Sequence, residues 1–246
     1  MPSRSQYAST WSTGIFYPKF VRVDFGWIGL IRHAESTANV VGARAEADGS
    51  ETIDLPERDA DVPLSDRGLE QASALGRWFG AQPRAQWPDV VVCSPYRRAI
   101  DTARLALPEH PLTIVDERVR DRELGVLDLL TRHGVARRFP DEVVRERRLG
   151  KFYHRPPGGE SWADVALRLR SLLGDLDRRF PGRRLLLVGH EVTALLLRYL
   201  LECVPERDLL AYARNRIVPN ASLTSWTPAG DRYALEHEHA TAHLST

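Results

Sequence analysis

The chain has 246 residues, a formal charge of +1 from 34 basic and 33 acidic side chains, and is 43% apolar. That length suits one large α/β domain with an ordinary soluble composition, and the near-zero charge implies neither a nucleic-acid nor a membrane partner. Cys93 and Cys203 read as small core fillers, no run reaches the length of a membrane span, and the start Met1-Pro-Ser-Arg-Ser-Gln6 lacks an apolar signal core, so a cytoplasmic location is expected.

Residues 1–20 are polar, with scattered aromatics and no clear period, and are expected to form a loosely ordered extension. The apolar run ending at Ile31 predicts a first strand over 26–32, and a loop rich in Gly, Ala, Asp and Glu follows over 42–63. Ser65 or Asp66 caps a predicted helix to about residue 80, with Leu69, Ala72, Leu75 and Phe79 on its inner face. A strand over Asp89–Cys93, a helix from near Pro95 to Ala106 and a strand over Leu112–Val115 come next. A helical insertion, roughly 126–150, leads to the turn Pro156-Pro-Gly-Gly159. Ser161 opens a long helix to Phe180, with Val165, Leu169, Leu172, Leu173 and Leu176 on one face. Leu185–Val188 is the fourth strand, Val192–Leu201 an apolar helix, and 205–214 a further helix; strands near 222–226 and 233–236 close the sheet. The alternation predicts an α/β fold, a three-layer α/β/α sandwich with a mostly parallel sheet and a helical cap insertion over about 126–158. A single domain is expected over 21–236, with 237–246 a surface tail.

Arg32-His33 sits directly on the end of the first apolar run, and His190 ends the run Arg184–Gly189. In open α/β sheets ligands bind outside the carboxyl ends of the strands. A guanidinium there forks two phosphate oxygens, and an adjacent neutral imidazole can attack phosphorus while its other nitrogen donates to a backbone carbonyl. A single histidine at a strand end also reads as a satisfied polar residue; the pairing of two such places is what points to chemistry.

Six blocks in chain order carry a resemblance. Arg32-His33-Ala34-Glu35-Ser36-Thr37-Ala38-Asn39 is similar to an R-H-G-E-S-x-x-N signature, with Ala for Gly at 34. Pro63-Leu-Ser-Asp-Arg-Gly68 with Gln71-Ala72, and Ser94-Pro95-Tyr96-Arg97-Arg98-Ala99 with Thr102-Ala103, form the next two. Val119–Gly125, Pro157–Ser161 and Val188–His190 complete the series. Together they resemble the histidine phosphatase superfamily, of phosphoglycerate-mutase-like fold, over about residues 28–227.

The resemblance implies a phosphohistidine enzyme that needs no cofactor and no metal. His33 is the implied nucleophile, Arg32, Arg98 and His190 the implied phosphate pocket, and Asn39 a further donor. Block alignment prefers Arg98 over its neighbour Arg97. Setting the acid block's glycine on Gly125 puts the general acid at Asp121, with Glu123 its rival and Glu35 and Glu117 behind it. Glu160 is expected to order a turn or cap a helix. His237, His239 and His243 could suggest a metal site, but a surface tail is the preferred reading.

The segment Asp121-Arg-Glu-Leu-Gly125 and the Gly158-Gly159 pair depart from the mutase pattern and are more like the broad-range phosphatases. The expected activity is therefore hydrolysis of small phosphorylated metabolites. A phosphoglycerate mutase, a phosphoprotein phosphatase and a non-catalytic phospho-ligand sensor are the alternatives, and a homodimer is allowed. Residues 132–155 are rich in arginine; most of these cations read as a solvated face, with Lys151 and Arg155 best placed to reach substrate.

Overall fold

The computed structural model describes residues 22–108 and 110–245; the expected extension over 1–20 lies outside them. Six strands are built from short apolar runs: β1 (Trp27–Arg32), β2 (Val90–Cys93), β3 (Thr113–Val115), β4 (Arg184–Gly189), β5 (Leu223–Ala229) and β6 (Arg232–Ala240). They form one sheet in the order β3-β2-β4-β1-β5-β6. The pairings β2–β3, β2–β4 and β1–β4 are parallel, and β5 and β6 are added antiparallel.

The side chains of the central strands alternate between two cores, as the pleat requires. Ile28, Leu30, Val90, Val92, Leu185 and Leu187 pack on one face under α6 (Trp162–Arg179), α7 (Glu191–Leu197) and α8 (Glu206–Asn215). Trp27, Ile31, Val91, Cys93, Leu186 and Val188 pack on the other under α2 (Asp66–Ala81) and α3 (Arg97–Ala106). Both faces are covered, which explains why the strands read as continuous apolar runs. The result is the expected three-layer α/β sandwich. The face of α6 expected from periodicity is buried along its length, each large side chain contributing about 1.5–3 kcal/mol.

Several local expectations are corrected. The loop expected over 42–63 is helical as far as Ala47: α1 spans Thr37–Ala47. Ser36 and Asn39 form a reciprocal capping box that starts it, and only Ala45 is buried, so no apolar stripe announces the helix. On α2 the inner face is Gly68, Ala72, Leu75 and Phe79, while Leu69 is exposed. The insertion holds two short helices, α4 (Arg132–Arg138) and α5 (Pro140–Leu149), broken at the Phe139-Pro140 junction. After α7 the chain continues as a π-helical turn over Arg198–Glu202.

The sheet also runs past residue 236, into the segment expected as a tail. β6 continues to Ala240 through a register shift, His239 takes a left-handed φ of 49°, and a 3-10 turn at Ala242–Leu244 follows with His243 buried. No helix of the described residues is long and apolar enough to cross a membrane.

Candidate active site

Register brings the chemistry together. Arg32 pairs with Gly189 across β1 and β4, so the next residues, His33 and His190, leave the carboxyl edge side by side with ring centroids 5.2 Å apart. β2 lies on the far side of β4 with Cys93 opposite Val188, and so delivers Ser94 beside them. A cavity of about 280 Å³ opens over this edge, lined among others by Arg32, His33, Asn39, Arg98, Asp121 and Glu123.

His33 is 3% exposed, and its Nδ1 is 2.8 Å from the carbonyl oxygen of Ala34. A carbonyl can only accept, so Nδ1 carries the proton and Nε2 keeps the lone pair. Burial, and then the neighbouring His190, Arg98 and Arg32, holds the imidazole pKa well below its usual value. The ring is therefore neutral at pH 7, with its Nε2 lone pair unprotonated. Ala34 stands where glycine is usual in the signature; its φ is not positive and its methyl lies in the core beneath α2 and α3, so the side chain is accommodated.

The cations are similarly fixed. Arg32 donates through Nη1 to the carbonyl of Val218 and lies 3.8 Å from Glu191. Arg98, in the first turn of α3 and 4% exposed, reaches Asp59 Oδ1 at 2.8 Å and Asp121 Oδ2 at 3.2 Å. His190 spans Ser94 Oγ, 2.8 Å from Nε2, and Asp121 Oδ2, 3.2 Å from Nδ1.

Asp121 thus lies between Arg98 and His190, and its Oδ1 also accepts from the backbone N–H of Arg122. Burial alone would raise its pKa; the charge and hydrogen bonding of His190, with Arg98, outweigh burial and hold the carboxyl far below its usual range. Glu123 lies at the cavity wall, about half exposed, and accepts from Tyr96 Oη at 3.0 Å. Of the remaining acid candidates, Glu35 accepts from Ser65 Oγ at 2.7 Å, and neither it nor Glu117 lines the cavity.

The acid segment is clamped from α6. Glu160 accepts from Arg120, Arg168 and the backbone N–H of Glu123, and Arg168 also donates to the carbonyl of Asp121. Glu160 therefore ties the 120–123 segment to Arg168, while the N-cap of α6 is made by Ser161 and Asp164 and not by Glu160. Gly125 has φ 55°, and a Cβ there would stand 2.1 Å from the carbonyl oxygen of Pro157, so only glycine lets the Pro156–Gly159 turn close against this loop.

Lys151 and Arg155, expected as substrate contacts, do not line the cavity. Lys151 Nζ lies over the Trp162 ring at 5.3 Å, and Arg155 is held by Asp164. Other arginines of the insertion pair with acids away from the site: Arg137 and Arg138 with Glu51, Arg145 with Glu142. His237, His239 and His243 have separate partners in Ser225, Thr224 and the Ala221 carbonyl. No group of three or more His, Cys, Asp or Glu side chains placed to hold a metal ion occurs among the described residues.

Sequence reasoning missed Asp59, Asp128 and Asn220. Asn220 Nδ2 donates to the His33 carbonyl at 3.0 Å and to Asn39 Oδ1 at 3.1 Å. Asn39 Oδ1 also faces the backbone N–H and the hydroxyl of Ser36. With its oxygen surrounded by donors, the Asn39 amide leaves Nδ2 for the cavity it lines.

The model of the histidine phosphatase superfamily (branch 1) matches residues 28–241. The chain belongs to this superfamily. It is 38% identical over 113 residues to a 2,3-bisphosphoglycerate-dependent phosphoglycerate mutase 2 of Gloeobacter violaceus, covering 44% of this chain and 49% of the relative. It is 29% identical over 204 residues to a 6-phosphofructo-2-kinase/fructose-2,6-bisphosphatase of Caenorhabditis elegans, covering 82% of this chain and 38% of the relative. The chain thus spans half or less of the length of these two curated relatives. Among solved structures, a mycobacterial glucosyl-3-phosphoglycerate phosphatase in complex with inorganic phosphate superposes with a TM-score of 0.68 at 26% identity, over 88% of this chain and 98% of that one. The alpha-ribazole phosphatase of Shigella flexneri shares the fold, with a TM-score of 0.69 at 22% identity over 88% and 97% of the two chains. The superfamily's members are phosphatases or mutases.

Proposed function

We propose that the protein is a phosphomonoesterase that hydrolyses small phosphorylated metabolites through a phosphohistidine on His33. The observation that carries this reading is the neutral, buried His33, tied through Nδ1 to Ala34, in a cavity it shares with Arg32 and Arg98. The phosphatase homologues, one bound to inorganic phosphate, support the same reading.

In the first step Nε2 of His33 attacks phosphorus as the ester P–O bond breaks, and Asp121 gives its proton to the departing oxygen. Arg32, Arg98, His190 and the amide of Asn39 hold the phosphoryl oxygens, where fixed donors stabilise the transition state most. In the second step Asp121 takes a proton from water, water oxygen bonds to phosphorus, and the N–P bond breaks, returning the lone pair to Nε2. His190 and Arg98 hold Asp121 as the carboxylate, the form the second step needs. A bound phosphate dianion offsets the charge of Arg98 and repels the carboxylate, raising its pKa toward the protonated form the first step needs. Glu123 is the second reading for this acid, because it lines the same cavity without an Arg98 or His190 contact.

Rapid quenching with labelled p-nitrophenyl phosphate should trap an acid-labile, base-stable phosphoenzyme, and His33→Ala should lose both the label and at least about a thousandfold of turnover. Full turnover in that variant excludes the assignment. Transfer of the label to a second phosphorylated substrate, without release of phosphate, identifies a mutase instead.

A further inference from the structure

Above the phosphate-binding floor the cavity has an acidic wall. Asp59, in the 3-10 turn Asp59–Asp61, and Asp128, just after the 3-10 turn Gly125–Leu127, both line the cavity together with Glu123. The two segments that carry the aspartates are joined. Ile53 N–H donates to Leu129 O at 2.8 Å, Thr131 N–H to Glu51 O at 3.2 Å, and Thr52 bridges Leu130. The wall is therefore a built feature of the fold. Burial, and then the charge of Asp59, pushes the Asp128 carboxyl pKa up, which fits two acids facing one space.

Asp59 is paired with Arg98 of the floor at 2.8 Å, and Arg120 stands 3.9 Å from Glu123. Among the described residues, the arginines lining the cavity are Arg32, Arg98 and Arg122. Arg32 and Arg98 form the floor; Arg32, nine-tenths buried, keeps its Nε without a hydrogen-bond partner. Arg122 spends its Nε on the Glu160 carbonyl at 2.6 Å. Lys151 and Arg155 are held outside by Trp162 and Asp164.

We infer that the leaving-group side of the cavity is a filter against a second anion, and that the substrates are phosphate monoesters of neutral or cationic alcohols. The inference rests on the phosphatase reading and names its substrate class. A phosphoryl group on Arg98 takes the place of the Asp59 oxygen at Nη1 and leaves that carboxylate beside the leaving group. A carboxylate or second phosphate carried by the substrate then meets Asp59, released from Arg98, with Asp128 and Glu123, in a cavity whose lining holds five acids, Asp59, Asp121, Glu123, Asp128 and Glu191, against three arginines, and like charges brought together select against that partner.

The test compares glycerol 3-phosphate and aminoethyl phosphate with 3-phosphoglycerate, which replaces a neutral or cationic group by a carboxylate. The expected result is a kcat/KM at least about tenfold higher for the first two. In the double variant Asp59→Asn, Asp128→Asn that ratio should fall at least about fivefold, chiefly through KM for 3-phosphoglycerate. The same compounds are titrated by calorimetry into the His33→Ala protein, so that selectivity is also read as binding. Preference for 3-phosphoglycerate in the unmodified protein, or a ratio unmoved by the double variant, overturns the inference. Absence of turnover even with p-nitrophenyl phosphate overturns the phosphatase reading alone, provided the calorimetric ratio keeps its sign; a reversed ratio there overturns the filter.

Discussion

The chemistry rests on a few side chains whose protonation and orientation are set by their neighbours. Asp121 should matter in proportion to how poor the leaving group is. Asp121→Asn should cripple cleavage of an alkyl phosphate while harming phosphoenzyme formation from p-nitrophenyl phosphate much less. Burst and steady-state rates must be separated, because breakdown of the intermediate also needs the base. Equal loss for both substrates in the burst assigns the acid elsewhere, with Glu123→Gln the next variant. Asn220 acts one layer below, through Asn39. Removing it takes away one of the donors on Asn39 Oδ1 and leaves Ser36 alone to hold the amide, so Asn220→Ala should weaken inorganic phosphate binding by up to about tenfold, the size of one lost hydrogen bond. In an Asn39→Ala background the same change should matter less than about twofold. Two independent, additive effects would show that Asn220 serves the fold and not the amide. Asn220 is invisible in sequence because its partner His33 is 187 positions away.

At the scale of elements, the site depends on how closely helices and loops approach the strand ends. α2 docks its first turn on the loop after His33 through Gly68, where a Cβ would stand 1.9 Å from the carbonyl oxygen of Glu35. That neighbour is backbone and cannot turn aside. Gly68→Ala should therefore destabilise by about 2 kcal/mol or more, read as a fall in Tm of about 5 °C for a chain of this size. An unchanged Tm would show that α2 can shift without loss. The strands were readable because buried parallel strands must be apolar on both faces, and α6 because it has a capped start and a single apolar face. α1 was not readable, since a helix that buries only Ala45 has no period to detect. The end of β6 was missed for a related reason: the left-handed His239 and the register shift break the alternation that would mark a strand.

For the whole molecule, burial of His33 links stability to pH. Its folded pKa lies well below its unfolded value of about 6.5, so in acid the unfolded chain takes up a proton that the folded chain refuses. Stability is unaffected above that pH and falls below it, by about 1.4 kcal/mol per pH unit for this one group. Burial lowers the pKa of His239 and His243 in the same direction. Asp121 does not offset the loss, because a depressed carboxyl keeps its stabilisation until the pH falls below the ordinary carboxylate range. Tm should therefore drop between pH 7 and pH 5, and less steeply in His33→Asn. Thermal unfolding across that range checks it; an identical slope in the variant would assign the loss to other groups.

Arg32, His33 and His190 could be picked out from the amino-acid order alone, because each follows or ends an apolar run; Arg98 and Asp121 came from the resemblance of their blocks to the superfamily's, with Glu123 left as a rival acid. The alternation of apolar runs and amphipathic segments likewise determined the layered α/β class. What only the folded chain decided are the relations across long sequence separations. The pairing of Arg32 with Gly189 sets the two histidines side by side. The fold also brings Asp59 to Arg98 at the cavity and lays Lys151 and Arg155 against Trp162 and Asp164, outside its lining. Charge counted along the chain offered Lys151 and Arg155 as substrate contacts and read the insertion's other cations as a solvated face. Charge in space is what a ligand meets, and side-chain pairing in the fold decides which charges remain facing the cavity.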